Sequence, residues 1–241
     1  MAETILEKIK AYKIEEIENK KKLKPVQDLL KNIDVVTKKK SFKDALLKTK
    51  SEYAIIAEVK KASPSKGIIC TDYIPAKIAK AYEEGGAACI SVLTDSPSFM
   101  GSENDLLSVK SATELPILRK DFIFDEYQII ESKAIGADCI LLILSALEPK
   151  HAQHLEACAL DLGLEVLIET HNQREVDIAN SMKSSLVGIN NRDLHTFITD
   201  RNVTNMLAKG LENNKYLISE SGISTKDHLE ELVNAGAQAF L

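Results

Sequence analysis

From Ala54 onward the chain repeats one pattern: a short apolar run, charged or small polar residues at its end, then a helical stretch. The first run sets the example. Ala54, Ile55, Ile56, Ala57 and Val59 are nearly continuous in their apolar character, as in a parallel strand covered on both faces. Glu58 and Lys60 enter at its end, two apart and so on one side of a strand. A loop follows, Ser63-Pro64-Ser65-Lys66-Gly67. A carboxylate and an ammonium at the end of a buried strand cost desolvation energy unless they are paired or used. Comparable runs lie at 89–94, 116–122, 139–144, 165–169, 186–190, 216–219 and 238–241. Helix signals stand between them. Pro75 begins one helix and Gly85-Gly86 end it, Ser102 and Asp105 open the next, and Pro149 and Gly163 bound another. Ser224 and Asp227 open the last, which stops at Gly236. Three junctions, beginning at Gly86, Gly136 and Gly236, put a glycine where the chain leaves a helix in a left-handed turn and starts the next strand.

Eight strands alternating with helices predict a (β/α)8 TIM barrel. An open doubly wound sheet is the alternative. Its dinucleotide-binding form is disfavoured because no G-x-G-x-x-G follows the first strand. The 241 residues read as one domain, a barrel over 51–241 with an N-terminal helical extension over 1–50. In the extension, Ile5, Leu6, Ile9, Ile14 and Ile17 make a rough apolar stripe over 1–22, and Lys20-Lys21-Lys22 suit the negative end of the helix dipole as a solvated face. Ser41 and Asp44 stand at capping-box spacing for a short helix. The sequence stops at Leu241, inside the eighth strand, so the next loop and closing helix are expected in a longer natural chain. A net charge of −5 argues against a nucleic-acid partner. No apolar run reaches the roughly 18 residues of a membrane span, and the N-terminus is too polar for a secretory signal. Cys70, Cys89, Cys139 and Cys158 show no paired spacing, which predicts a reducing, cytoplasmic setting with Cys89 and Cys139 as small core residues.

The carboxyl ends of barrel strands face one mouth. Strand one brings Glu58 and Lys60, and strand two leads to Phe99. Strand three ends Arg119-Lys120-Asp121-Phe122, strand five in Glu169, strand six in Asn190-Asn191-Arg192-Asp193, and strand seven in Ser219-Glu220-Ser221-Gly222. The fourth stays apolar from Leu141 to Leu144. A single charged strand end reads as an ion pair closing the barrel. Five in one register point to acid–base chemistry, with lysines as acids and a carboxylate such as Glu169 as base. Ser221-Gly222 lies where such barrels hold anions, so a small phosphorylated substrate is expected. His151 and His154 are three apart with no third ligand nearby in the sequence, which favours helix packing over metal binding, and no metal is expected. His171, just after Glu169, reads either as a group that tunes the site or, the favoured reading, as a side chain on the far side of its turn. His195 and His228 read as loop and helix-surface residues.

The stretches IIAEVKKASPSKG, SFMGSENDL, PILRKDFIFDEYQI, GLEVLIETH, VGINNRDL and ISESGIS, in that order, resemble the indole-3-glycerol-phosphate synthase family of tryptophan biosynthesis over nearly the whole chain. The resemblance implies a carboxy-lyase. It would close the ring of 1-(2-carboxyphenylamino)-1-deoxyribulose 5-phosphate with loss of carbon dioxide and water, without a cofactor, and a monomer is expected. It implies Lys120 as the general acid, Lys60 as the partner of the substrate carboxylate, and Glu169 as the base for dehydration. Glu58 and Asn190 become orienting groups, and Glu220 a further polar contact. Ser63 and Arg192 become anion contacts, Ser221 and Gly222 phosphate ligands. Phe99, Phe122 and Leu141 form an apolar slot for the aromatic ring, with Leu194 a further substrate contact. The family carries a Gly-Ser phosphate turn after strand eight and a final helix, both of which would follow Leu241. A non-catalytic barrel and a phosphosugar isomerase stay open as alternatives. Retention of Lys60, Lys120 and Glu169 favours the synthase.

Overall fold

The computed structural model describes residues 4–33, 40–194 and 196–241. His195 and the first three residues of the expected N-terminal helix lie outside them. The apolar runs become eight parallel strands: β1 (Ala54–Val59), β2 (Cys89–Leu93), β3 (Ile117–Lys120), β4 (Cys139–Ile143), β5 (Glu165–Thr170), β6 (Leu186–Asn190), β7 (Tyr216–Glu220) and β8 (Ala239–Phe240). They pair in sequence order and close, with β8 hydrogen-bonded to both β7 and β1 through the pairs Ala239–Ile218 and Ala239–Ala54. The ring excludes the open doubly wound sheet. Both strand faces are buried. Ile56, Leu118, Leu141, Leu167 and Ile218 fill the interior, while Val59, Ile90, Val92, Ile140 and Val166 pack outward with the helices. This two-sided burial is why the runs are continuous rather than alternating.

The helices are α1 (Ile5–Leu23), α2 (Val26–Lys31), α3 (Phe42–Leu47), α4 (Pro75–Glu84), α5 (Ser96–Phe99), α6 (Glu103–Ala112), α7 (Glu126–Ala134), α8 (Pro149–Asp161), α9 (Gln173–Ser181), α10 (Asn202–Leu207) and α11 (Lys226–Asn234). Gly86, Gly136 and Gly236 all have positive φ, as their junctions require. The cap of α11 is Thr225, one residue later than expected, because its hydroxyl accepts from the His228 N–H. The short α3 plugs the amino end of the barrel. Phe42 and Leu46 join the interior core, and the Glu165 carboxylate at the start of β5 accepts from the Phe42 and Lys43 N–H groups. Ser41 supplies the cap, accepting from Asp44 N–H at 3.1 Å.

The extension differs from its expected solvated face. The buried stripe of α1 runs Leu6, Ile9, Lys13, Ile17, while Ile14 is 48% exposed. The position between Ile9 and Ile17 is thus taken by a lysine. Its ammonium lies 2.9 Å from Asp121 Oδ1 and 3.0 Å from Asp95 Oδ1, at the carboxyl ends of β3 and β2. Further along, Lys20 bonds Glu103 and Lys21 reaches Asp125 at 2.9 Å. The charges of α1 therefore bind the helix to the mouth end of the barrel. Among the described residues no helix is long and apolar enough to cross a membrane.

Candidate active site

A cavity of about 740 Å³ opens at the carboxyl ends of the strands. Strand termini supply its polar floor: Glu58, Lys120, Glu169 and Asn190, with Lys60 just beyond β1. Phe99 from α5 and Phe122 after β3 stand with ring centroids 6.3 Å apart, and Leu141 and Leu194 add to the apolar wall. Ser63 lies in a two-residue strand paired with Gly67–Ile68, and Arg192 after β6 reaches Ser65 Oγ at 3.3 Å, so these two loops meet across the opening. Ser221 and Gly222 line another edge. Of the residues expected at a site, only Glu220 does not line the cavity. It is fully buried beneath Lys120.

Lys120 is the centre of the charge arrangement. Its ammonium lies 3.5 Å from Glu220 Oε2, 3.7 Å from Glu169 Oε2 and 3.9 Å from Glu58 Oε2, and Glu58 also pairs with Lys60. Burial alone would favour the neutral amine, but attraction from Glu220, Glu169 and Glu58 outweighs it and raises the Lys120 pKa. The carboxylates divide. Glu169 is buried too, yet Lys120, His171 and the Asn190 amide pull it down to about 2. Glu220 is pushed up to about 8, first by burial, then by repulsion from Glu169. Neither Glu220 oxygen has a hydrogen-bond partner, which fits a carboxyl that holds its proton at neutral pH.

The turn after β7 carries backbone strain. Ser221 has φ 67° and Gly222 φ 78°, and a non-glycine residue held left-handed is uncommon outside functional turns. The Ser221 N–H is already engaged, donating to the Leu241 carbonyl oxygen at 3.0 Å. What the serine itself offers an anion is its hydroxyl.

Two features are not legible from the sequence alone. Gly188, in the middle of β6, leaves the space that Glu220 occupies: a Cβ there would stand 2.0 Å from Glu220 Oε1. Gly188→Ala is therefore expected to drive the carboxyl toward Lys120 and lower kcat by about 100-fold, the scale of an ångström-sized misplacement. Steady-state kinetics and a near-UV dichroism spectrum matching the parent would check it. The other is His171. It turns toward Glu169, with Nε2 3.3 Å from Glu169 Oε1, instead of lying across the turn. Its closeness to Glu169 in sequence was the available signal. His154 is an exposed residue that meets the neighbouring helix, as a surface or helix-packing histidine would. Glu126 Oε1 lies 2.5 Å from its Nε2 and Cys158 Sγ 3.8 Å, so two further donors do stand beside it, the three within 4.8 Å of one another. His151 turns elsewhere, with Nε2 2.8 Å from the Phe124 carbonyl oxygen.

Fold and mouth together define a (β/α)8 barrel with a cluster of lysines and carboxyls at its carboxyl end. Comparison with known proteins narrows this class. The chain belongs to the indole-3-glycerol phosphate synthase family, whose model matches residues 6–241. It is 45% identical over 240 residues to the indole-3-glycerol phosphate synthase of Laribacter hongkongensis (strain HLHK9), spanning 98% of this chain and 91% of that one. It is 48% identical over 189 residues to the protein of the same name from Azospirillum brasilense, spanning 78% and 72%. Among solved structures, an N-acetylmannosamine-6-phosphate 2-epimerase from Clostridium perfringens superposes with a TM-score of 0.57 at 15% identity, over 78% of this chain and 84% of that one, a likeness of fold.

Proposed function

We propose that the chain is a carboxy-lyase of tryptophan biosynthesis that converts 1-(2-carboxyphenylamino)-1-deoxyribulose 5-phosphate to indole-3-glycerol phosphate. The observation that carries the reading is the Lys120 ammonium, held among three carboxyl groups on the floor of a cavity with an aromatic wall. The ring carbon bearing the carboxylate attacks the ribulose carbonyl while Lys120 protonates its oxygen. Loss of carbon dioxide then restores aromaticity. Elimination of the new hydroxyl with a proton from the adjacent methylene forms the indole. An acid serves the leaving hydroxyl and Glu169 takes the proton.

Lys60, on the rim beside Glu58, is suited to the substrate carboxylate. Ser221 and Gly222, with Ser63 and Arg192 across the opening, are suited to the phosphate and polyol, and Phe99, Phe122, Leu141 and Leu194 to the aromatic ring. Glu58 and Asn190 orient Lys60, Lys120 and Glu169 through the contacts described. Glu220, carrying a proton below Lys120, is a reserve acid. The same reading makes the protein a cytoplasmic monomer whose barrel is residues 51–241. The test is direct: the purified chain with the carboxyphenylamino-deoxyribulose phosphate should develop indole fluorescence as carbon dioxide is released in equal amount. A folded protein that produces neither would overturn the proposal.

A further inference from the structure

The Glu169 side chain is held from two sides. Oε2 faces Lys120, while Oε1 lies 3.3 Å from His171 Nε2. On its other side the imidazole meets a second carboxylate, with Nδ1 3.3 Å from Glu175 Oε2. Glu175 is itself fixed by the start of α9. Oε2 accepts the His171 N–H at 2.8 Å, Oε1 accepts from Asn172 Nδ2 at 2.6 Å, and the Glu175 N–H returns to Asn172 Oδ1 at 3.1 Å. A carboxylate oxygen thus stands 3.3 Å from each ring nitrogen, and two anions flanking one imidazole favour its imidazolium form. His171 also forms part of the wall between two cavities. The catalytic one is lined by Glu169, and a second, of about 390 Å³, by His171 and Glu175, with Asn190 shared between them.

We propose that His171 is a positioning residue for Glu169: an imidazolium anchored by Glu175 that occupies Glu169 Oε1 and leaves Oε2 turned to Lys120 and the substrate. This rests on the reading of Glu169 as the base. Burial would neutralise the ring, but the neighbouring Glu169 and Glu175 carboxylates push its pKa up to about 10, so it stays charged across the working range.

The charged and polar groups facing Glu169 are Lys120 from β3, Asn190 from β6, His171 after β5, and the carboxyls of Glu220 on β7 and Glu58 on β1. Lys120 and His171 are the cations, and both lower the Glu169 pKa. A base works only when ionised. Removing the His171 charge therefore raises the Glu169 pKa, and the acid limb of the kcat profile moves to higher pH.

The experiment compares the parent with His171→Gln, which keeps a donor but not the charge, and with Glu169→Gln. For His171→Gln the expected result is a kcat lower by about tenfold, KM changed little, and an acid limb raised by about two pH units. Glu175→Gln should move the limb the same way by less. In the folded parent, nitrogen-15 resonances of His171 should report an imidazolium at pH 8, and Glu169→Gln should lower its titration midpoint. A His171 ring that is neutral at pH 8, or an unshifted limb in His171→Gln while Glu169→Gln is inactive, overturns the positioning role alone. Full turnover by Glu169→Gln overturns the base assignment and this role with it.

Discussion

Lys120→Ala is expected to reduce turnover of the carboxyphenylamino-deoxyribulose phosphate by about 1,000-fold or more, with the fold intact. Among the described residues the lysine is the one cation that touches Glu58, Glu169 and Glu220 together. Without it the carbonyl oxygen would lose its proton donor, and the carboxyls of Glu58, Glu169 and Glu220 would face one another with Lys60 and His171 as the neighbouring cations among the described residues. Glu169, no longer held ionised by the ammonium, then takes up protons more readily and works less well as a base. Acid and base are thus lost through one substitution, so the decline should exceed that of a simple donor deletion. Indole fluorescence under single-turnover conditions measures it. A rate within tenfold of the parent would mean that Lys120 is not the acid.

Lys13→Met is expected to destabilise the protein by about 3–5 kcal/mol, the cost of breaking a buried ion pair from one side. The Lys13 side chain is 1% exposed and those of Asp95 and Asp121 are 0% exposed. Burial disfavours the ammonium, but Asp121, Asp95 and Glu16 overcome this and raise its pKa. Asp121 keeps Arg119 as a second partner at 3.1 Å, whereas Asp95 is left with hydroxyl and backbone donors: Tyr12 at 3.0 Å and the Ser98 N–H at 2.9 Å. Asp95→Asn in the same chain should therefore recover part of the loss, and urea unfolding of the single and double variants measures both. Asp121 follows Lys120 directly and lines the same strand-end cavity, so kcat should fall as well. A stability change below about 1 kcal/mol, the range of a surface pair, would place Lys13 in solvent.

The barrel was legible because its strands advertise themselves twice, by continuous apolar runs and by polar residues at one end. The β1 sequence alone shows both, and Glu58, Lys120, Glu169 and Asn190 fall on the cavity because each is at or next to the last residue of its strand. What could not be read depends on partners far apart in sequence. Lys13 sits at a position of α1 where periodicity calls for an apolar residue, and only the two aspartates on β2 and β3 explain it. Gly188 resembles any strand glycine until Glu220 of the neighbouring strand fills its space. His171 lies two residues from Glu169, but which way it turns is decided by Glu175 in the following helix. Glu126 reaches His154 only because α7 and α8 pack together, whereas Cys158 stands one turn further along α8 itself. Strand-end chemistry is encoded locally, whereas support for that chemistry is encoded in pairs.

The ring is closed by β8, a strand of two residues that pairs with β1 on one side and β7 on the other. During synthesis, β1 emerges early and β8 last of the eight. At roughly 5–20 residues per second, the free edge of β1 waits on the order of ten seconds for its neighbour. That edge is the apolar Ala54–Val59 run, a template for pairing with another nascent chain. The helix α3 is made just before it and packs against its amino end, so it can shield part of that edge on the ribosome. The closing strand thus makes the yield of folded protein a race between translation and aggregation. Slower elongation after β1 should worsen that race, and tighter docking of α3 should improve it.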